Sequence, residues 1–180
     1  MGTARRYDRR TEVAGGYRLF TACILFLCIG GCRFNPDMQH PGAEYLQGVW
    51  VQERLPIQEE LLQYTLHELK FTCDSIYAVM HTTAKVRNIA DSCYNNGQWT
   101  EYAKGVYVVR GDSLLVDGQY TRANWRQKTS GCYRSGQYLP RFKIVQHTAD
   151  SLILENRYDQ RPILLRKTAT ITCMPKKRWE

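Results

Sequence analysis

Residues 105–120 read GVYVVRGDSLLVDGQY. Two short runs of β-branched, aromatic and aliphatic residues flank the pair Gly111-Asp112. Such side chains fit a pleated, half-buried surface, and a glycine next to an aspartate supplies a tight turn. The stretch therefore predicts a β-hairpin. The same texture recurs at residues 48–53 (GVWVQE), 70–80 (KFTCDSIYAVM), 141–158 (RFKIVQHTADSLILENRY) and 161–167 (RPILLRK), with a second turn at Ala149-Asp150. Short apolar alternation broken by turn residues over this length predicts an all-β domain of antiparallel hairpins.

One stretch departs from this rhythm. In IQEELLQYTLHEL, Leu62, Leu66 and Leu69 stand at helical spacing, while Leu69, Phe71 and Cys73 alternate like a strand. The reading adopted is a short helix over 57–64 followed by strand. Residues 85–98 and 121–131 read as longer loops, the kind of segment on which binding residues concentrate.

The chain has 180 residues, 43% of them apolar, and a formal net charge of +8. This is enough for one well-packed domain. Arg5, Arg6, Arg9, Arg10 and Arg18 against Asp8 and Glu12 place +3 of that charge before residue 31 and leave +5 for the rest. A surplus of that size reads as a solvated surface, and no arginine-rich helix or aromatic-spaced basic strand argues for nucleic acid. The basic tail at Lys176, Lys177 and Arg178 beside Trp179 reads as a frayed terminus or a contact with an anionic lipid surface.

Near the N-terminus, LFTACILFLCI (residues 19–29) is about eleven apolar residues, against the roughly 20 that a membrane-spanning helix needs. It has the length of a signal-peptide core, with Arg18 before it and the small residues Gly30 and Gly31 after it. Ile29-Gly30-Gly31-Cys32 resembles the lipobox of bacterial lipoproteins. That resemblance implies that residues 1–31 are a leader and lipoprotein signal peptide and that Cys32 becomes a lipidated N-terminus; the competing reading is an ordinary secretory signal. Residues 32–45 then form a polar tether without the acidic cluster that resembles a surface-export signal, which predicts a lipid-anchored envelope protein, on the outer membrane and facing the periplasm. Residues 46–175 are the folded domain.

Four of the seven cysteines, Cys73, Cys93, Cys132 and Cys173, lie in that domain. In an oxidising compartment they read as two disulfides, with three possible pairings. They form no CxxC and have no paired histidines nearby, so a zinc site is not expected.

Three copies of one phrase stand out: Asp74-Ser75-Ile76, Asp112-Ser113-Leu114 and Asp150-Ser151-Leu152. A turn aspartate that hydrogen-bonds the backbone two residues on, followed by a restarting strand, accounts for it. The phrase also resembles the acceptor motif for protein O-glycosylation in Bacteroidetes, which would modify Ser75, Ser113 and Ser151.

Signatures of catalysis are absent from the sequence: no GxSxG, HExxH, GxxxxGK[ST] or GxGxxG occurs. His67-Glu68 lacks a second histidine, and His40, His81 and His147 are scattered. No enzyme activity and no cofactor are expected. Twelve tyrosines and four tryptophans remain to be explained. Either they line an apolar cavity with polar handles or they fill a barrel core. For the cavity reading Trp99, Tyr107, Tyr120 and Trp125 are the candidate ligand-binding residues.

Gly48-Val49-Trp50 at the head of the first strand, echoed by Gly97-Gln98-Trp99, resembles lipocalin-like proteins, in which the indole plugs one end of a barrel. EYLQGVW, LLQYTLHELKFTCDS, DSCYNNGQW, EYAKG, SGCYRSGQYLP and the terminal ITC together resemble a group of small lipocalin-like lipoproteins of Bacteroidetes. The resemblance implies a meander barrel of about eight to ten strands with one short helix, in the cell envelope. Some members of that group bear a fumarate hydratase label; this chain lacks the Gly-Ser-Ser loop that such an activity would lead one to expect, and its cysteines suit disulfides better than an iron–sulfur cluster. Two functions follow as expectations. One is a membrane-tethered barrel binding a small apolar or amphipathic ligand. The other is a filled barrel docking onto another envelope protein.

Overall fold

In the computed structural model, residues 39–87, 89–158 and 160–176 are described. They contain β1 (Gly48–Gln52), β2 (Gln63–Thr72), β3 (Ser75–Ala84), β4 (Gln98–Arg110), β5 (Ser113–Thr121), β6 (Gln137–Tyr138), β7 (Arg141–His147), β8 (Ser151–Asn156) and β9 (Pro162–Ala169). Two short helices, α1 (Pro56–Glu60) and α2 (Asp91–Tyr94), sit in the connections. All pairings are antiparallel. Consecutive strands pair from β1 to β5 and from β7 to β9, β5 pairs β7, and β9 returns to β1, so eight strands close into an antiparallel barrel. The two-residue β6 leads into β7 along β5.

Alternation decides which side chains enter the barrel. Along β3, Ile76, Ala78, Met80, Thr82 and Ala84 are buried and their neighbours are not. Trp50, Phe71, Leu114, Phe142, Leu152 and Leu154 fill one end of the interior. Burying each of these contributes roughly 1.5–3 kcal/mol. Trp50 is fully buried and donates its Nε1–H to Leu46 O at 2.7 Å, so it closes this end as the glycine–tryptophan pattern implied.

The chain enters beneath the closed end. Gln47 holds the β2–β3 turn there, donating to Cys73 O at 2.9 Å and accepting from Cys73 N at 2.7 Å. Tyr107 donates to Cys73 O at 2.8 Å and accepts from Ala43 N at 3.1 Å. Burial pushes its phenol up to about 12, which keeps this donor protonated.

The three Asp-Ser phrases occupy equivalent places. Each serine begins a strand, and Ile76, Leu114 and Leu152 are buried one position later. All three turns lie at the closed end, since each closes an alternate hairpin of the meander. The hydrogen bonds differ from the expected pattern. Asp74 accepts from His40 N, Asp112 from Ser113 Oγ and Asp150 from Thr148 Oγ1, rather than from the backbone two residues on.

The helix expected over 57–64 is shorter. It ends at Glu60, and Gln63 and Tyr64 already belong to β2. Ten consecutive residues of β2 pair with β3, from Gln63↔Ala84 to Thr72↔Ser75. A single isolated turn of helix is a poor competitor for that ladder. The expected loops at 85–98 and 121–131 correspond to the β3–β4 and β5–β6 connections.

Two disulfides form, Cys73–Cys173 and Cys93–Cys132. The first joins the β2–β3 turn to the chain after β9, with a sequence separation of 100; the second spans 39. Residues 39–176 hold every described strand, the core and both bridges, which marks a unit that folds on its own. No helix among the described residues is long and apolar enough to cross a membrane.

Cross-linking removes more entropy from the unfolded chain when the closed loop is longer, giving about 4.7 kcal/mol for 100 residues and less for 39. Replacing Cys73 and Cys173 together with serine is expected to lower the unfolding free energy by about 2–5 kcal/mol, and by more than the Cys93/Cys132 pair does, in denaturant titrations.

Candidate functional site at the open end of the barrel

The interior is filled at the Trp50 end only. Toward the other end, among α1, the β5–β7 connection and the β8–β9 turn, lies a cleft of about 700 Å³. Leu55, Ile57, Leu61, Leu139, Phe142 and Ile163 supply apolar wall, and Gln52, His67, Tyr120, Arg134, Tyr138 and Arg161 supply polar groups. Ile57 and Leu139 are exposed at the rim, so the cleft opens to solvent. Gln52 Oε1 accepts from the backbone N of His67 at 3.0 Å and from its Nδ1 at 2.8 Å, which fixes that ring against the wall. No aspartate or glutamate lines the cleft among the described residues.

Its chemistry is organised by one ion pair. Glu101 points inward from β4, between Trp99 and Ala103 on the buried face. Arg134, from the β5–β6 connection, donates Nε to Glu101 Oε1 at 3.0 Å and Nη2 to Oε2 at 2.8 Å, and its backbone N donates to Oε1 at 3.0 Å. Trp99 Nε1 adds a donor to Oε2 at 3.3 Å. The guanidinium carbon stands 5.1 Å from the Tyr120 ring centroid. Burial pushes the Glu101 carboxyl up, but the hydrogen bonds and charge of Arg134 outweigh it and hold the carboxyl below the usual range. Burial acts on Arg134 in the opposite sense and Glu101 outweighs it too, so the guanidinium stays charged. Burial raises the phenols of Tyr120 and Tyr138, which remain neutral donors.

The loop carrying Arg134 is pinned by the Cys93–Cys132 bridge two residues before it. Tyr133 stacks on Trp99 at 5.1 Å and donates its hydroxyl to Cys93 O at 2.7 Å. Disulfide, aromatic stack and ion pair thus hold one edge of the cleft in a single arrangement.

The four aromatic candidates separate. Tyr120 lines the cleft. Trp99 lies beside it, buried under Tyr133. Tyr107 belongs to the closed end. Trp125 packs on the outside of the barrel, edge-on to Tyr77 at 5.0 Å and to Tyr102 at 5.8 Å, because the β5–β6 connection folds back over the outer face. The sequence reading missed Arg134 and Glu101. A carboxylate on the inward register between Trp99 and Ala103 was a usable signal for Glu101; nothing in SGCYRSG distinguished Arg134.

Ser75, Ser113 and Ser151 head their strands at the closed end. Ser75 Oγ accepts from Gln39 Nε2 at 2.9 Å, and Ser113 Oγ accepts from Arg157 Nη2 at 2.6 Å. Cys32 and the rest of the leader lie outside the described residues. No group of three or more His, Cys, Asp or Glu side chains able to hold a metal ion occurs among the described residues.

Fold and site together define a closed eight-stranded antiparallel barrel, plugged at one end and carrying a cleft at the other. Comparison with protein-family models, curated proteins and solved structures finds no match to this chain.

Because the folded carboxyl of Glu101 titrates below its unfolded value of about 4.3, the pair contributes fully above that value. The contribution is lost as pH falls through the lowered one. Thermal melts between about pH 2 and 7 are expected to show a shallower acid-side loss of stability in Glu101→Gln than in the parent.

Proposed function

We propose that the protein is an envelope lipoprotein, anchored through Cys32, whose barrel holds a small amphipathic ligand in the open-end cleft. The observation that carries this reading is the cleft itself. Its volume of about 700 Å³ falls within the range of small-molecule sites, roughly 300–1,000 Å³, and its walls combine continuous apolar surface with a few fixed polar groups. Supporting it further, the plug around Trp50 leaves the opposite end unfilled, where a barrel evolved only to pack its interior would place large side chains.

The anchoring part rests on the lipobox resemblance at residues 29–32. Cys32 lies seven residues before Gln39, whose side chain bonds Ser75 at the closed end.

Native mass spectrometry of residues 39–176 after exposure to an envelope lipid extract tests the binding reading. A retained mass at one-to-one stoichiometry is expected; an unliganded mass across all ligand classes overturns it and leaves the outer surface as the working part. Intact mass of the membrane-extracted protein tests the anchor. A lipid-modified chain beginning at Cys32 is expected, and an unmodified chain that retains Met1 refutes it.

A further inference from the structure

We propose that the ligand is a single-chain amphiphile with an oxyanion head group, and that Arg134 and Tyr138 read that head. This rests on the cleft reading above and specifies its ligand class. Arg134 lines the cleft, and the carboxylate it pairs with is withdrawn from it. Glu101 is 5% exposed and both its oxygens are occupied, by three nitrogens of Arg134 and by Trp99 Nε1. It cannot reach a ligand; it orients the guanidinium from behind.

Arg134 is not consumed by this pairing. Its side chain stays 53% exposed, and Glu101 takes only the Nε and Nη2 edge of the guanidinium, with Tyr120 as its other polar neighbour. A planar guanidinium held on one edge by a carboxylate and across one face by Tyr120 presents its remaining N–H groups in a fixed direction, the geometry that suits an oxyanion. Beside it stands Tyr138, whose ring meets that of Tyr120 edge-on at 5.4 Å. Tyr138 is only 6% exposed, lines the cleft, and its hydroxyl has no hydrogen-bond partner among the described residues. The hydroxyl oxygen is not among the buried polar atoms left unpaired, so it is open to the cleft, where a ligand oxygen would accept from it.

The rest of the cleft suits the tail. Leu55, Ile57, Leu61, Leu139 and Ile163 form apolar wall continuing toward the rim. One acyl chain fits a space of about 700 Å³ better than the two chains and bulky head of a phospholipid.

The test is displacement of a neutral fluorescent probe, N-phenyl-1-naphthylamine, from residues 39–176 with both disulfides intact. Four competitors of equal chain length are compared: hexadecanoic acid, hexadecyl phosphate, methyl hexadecanoate and hexadecylamine. One or both anions should displace the probe at concentrations at least about tenfold below the ester and the amine, and the stronger of the two identifies the head as carboxylate or phosphate. The double variant Glu101→Gln/Arg134→Gln, which leaves no unpaired charge, should bring the acid-to-ester ratio close to one, and Tyr138→Phe should lower it by several-fold. Equal displacement by acid and ester in the parent protein overturns this inference while the cleft reading stands. Failure of the probe and all four amphiphiles to bind overturns the cleft reading itself.

Discussion

Pairing of β1 with β9 brings together segments from opposite ends of the folded unit, with Trp50 beside Lys167 and Gln52 beside Leu165. This ladder turns an open meander into a barrel and removes the exposed edges that two terminal strands would otherwise present. The interior then has a finite volume, set by eight strands, and the arrangement of side chains within it determines what the molecule can do. Around Trp50 the large side chains fill it. Beyond Met80 and Phe142 they do not, and the cleft is what remains.

The two disulfides act on these two halves separately. Cys73–Cys173 secures the closed end, where the incoming chain, the β2–β3 turn and the segment after β9 meet around Gln47 and Tyr107. Cys93–Cys132 secures the open end, where it couples the β3–β4 and β5–β6 connections and sets the position of Arg134. Such a loop could not keep a guanidinium in one orientation by its own backbone preferences. The bridge, the Trp99–Tyr133 stack and the buried carboxylate of Glu101 together supply the constraint that loop residues lack.

Both outer and inner faces of the barrel carry aromatics, and this is why counting tyrosines and tryptophans left two readings open. Trp50 and Tyr107 pack the core, Tyr120 and Tyr138 line the cleft, and Trp125 covers the outer face at Tyr77 and Tyr102. An aromatic side chain gains from burial in any of these places, so its identity alone does not say which it occupies.

The closing tryptophan was expected only from the resemblance of Gly48-Val49-Trp50 to lipocalin-like proteins. Strand rhythm and hairpin turns were legible in the sequence because they depend on local chemistry: period-two burial, glycine and aspartate at turns, and a strand restarting after each Asp-Ser pair. The presence of four cysteines in the folded domain was legible for the same reason, and their pairing was not, since it depends on which distant turns the barrel brings within reach. The length of helix α1 was overestimated because Leu62, Leu66 and Leu69 beyond it also stand at helical spacing, and only the ladder with β3 assigned Leu66 and Leu69 to a strand. The site was the least legible part. Glu101 could be read as a carboxylate on a buried register, but Arg134 meets it across 33 residues of chain. Their encounter, and the cleft they border, follow from barrel closure and the Cys93–Cys132 bridge, long-range constraints that no stretch of the sequence contains by itself.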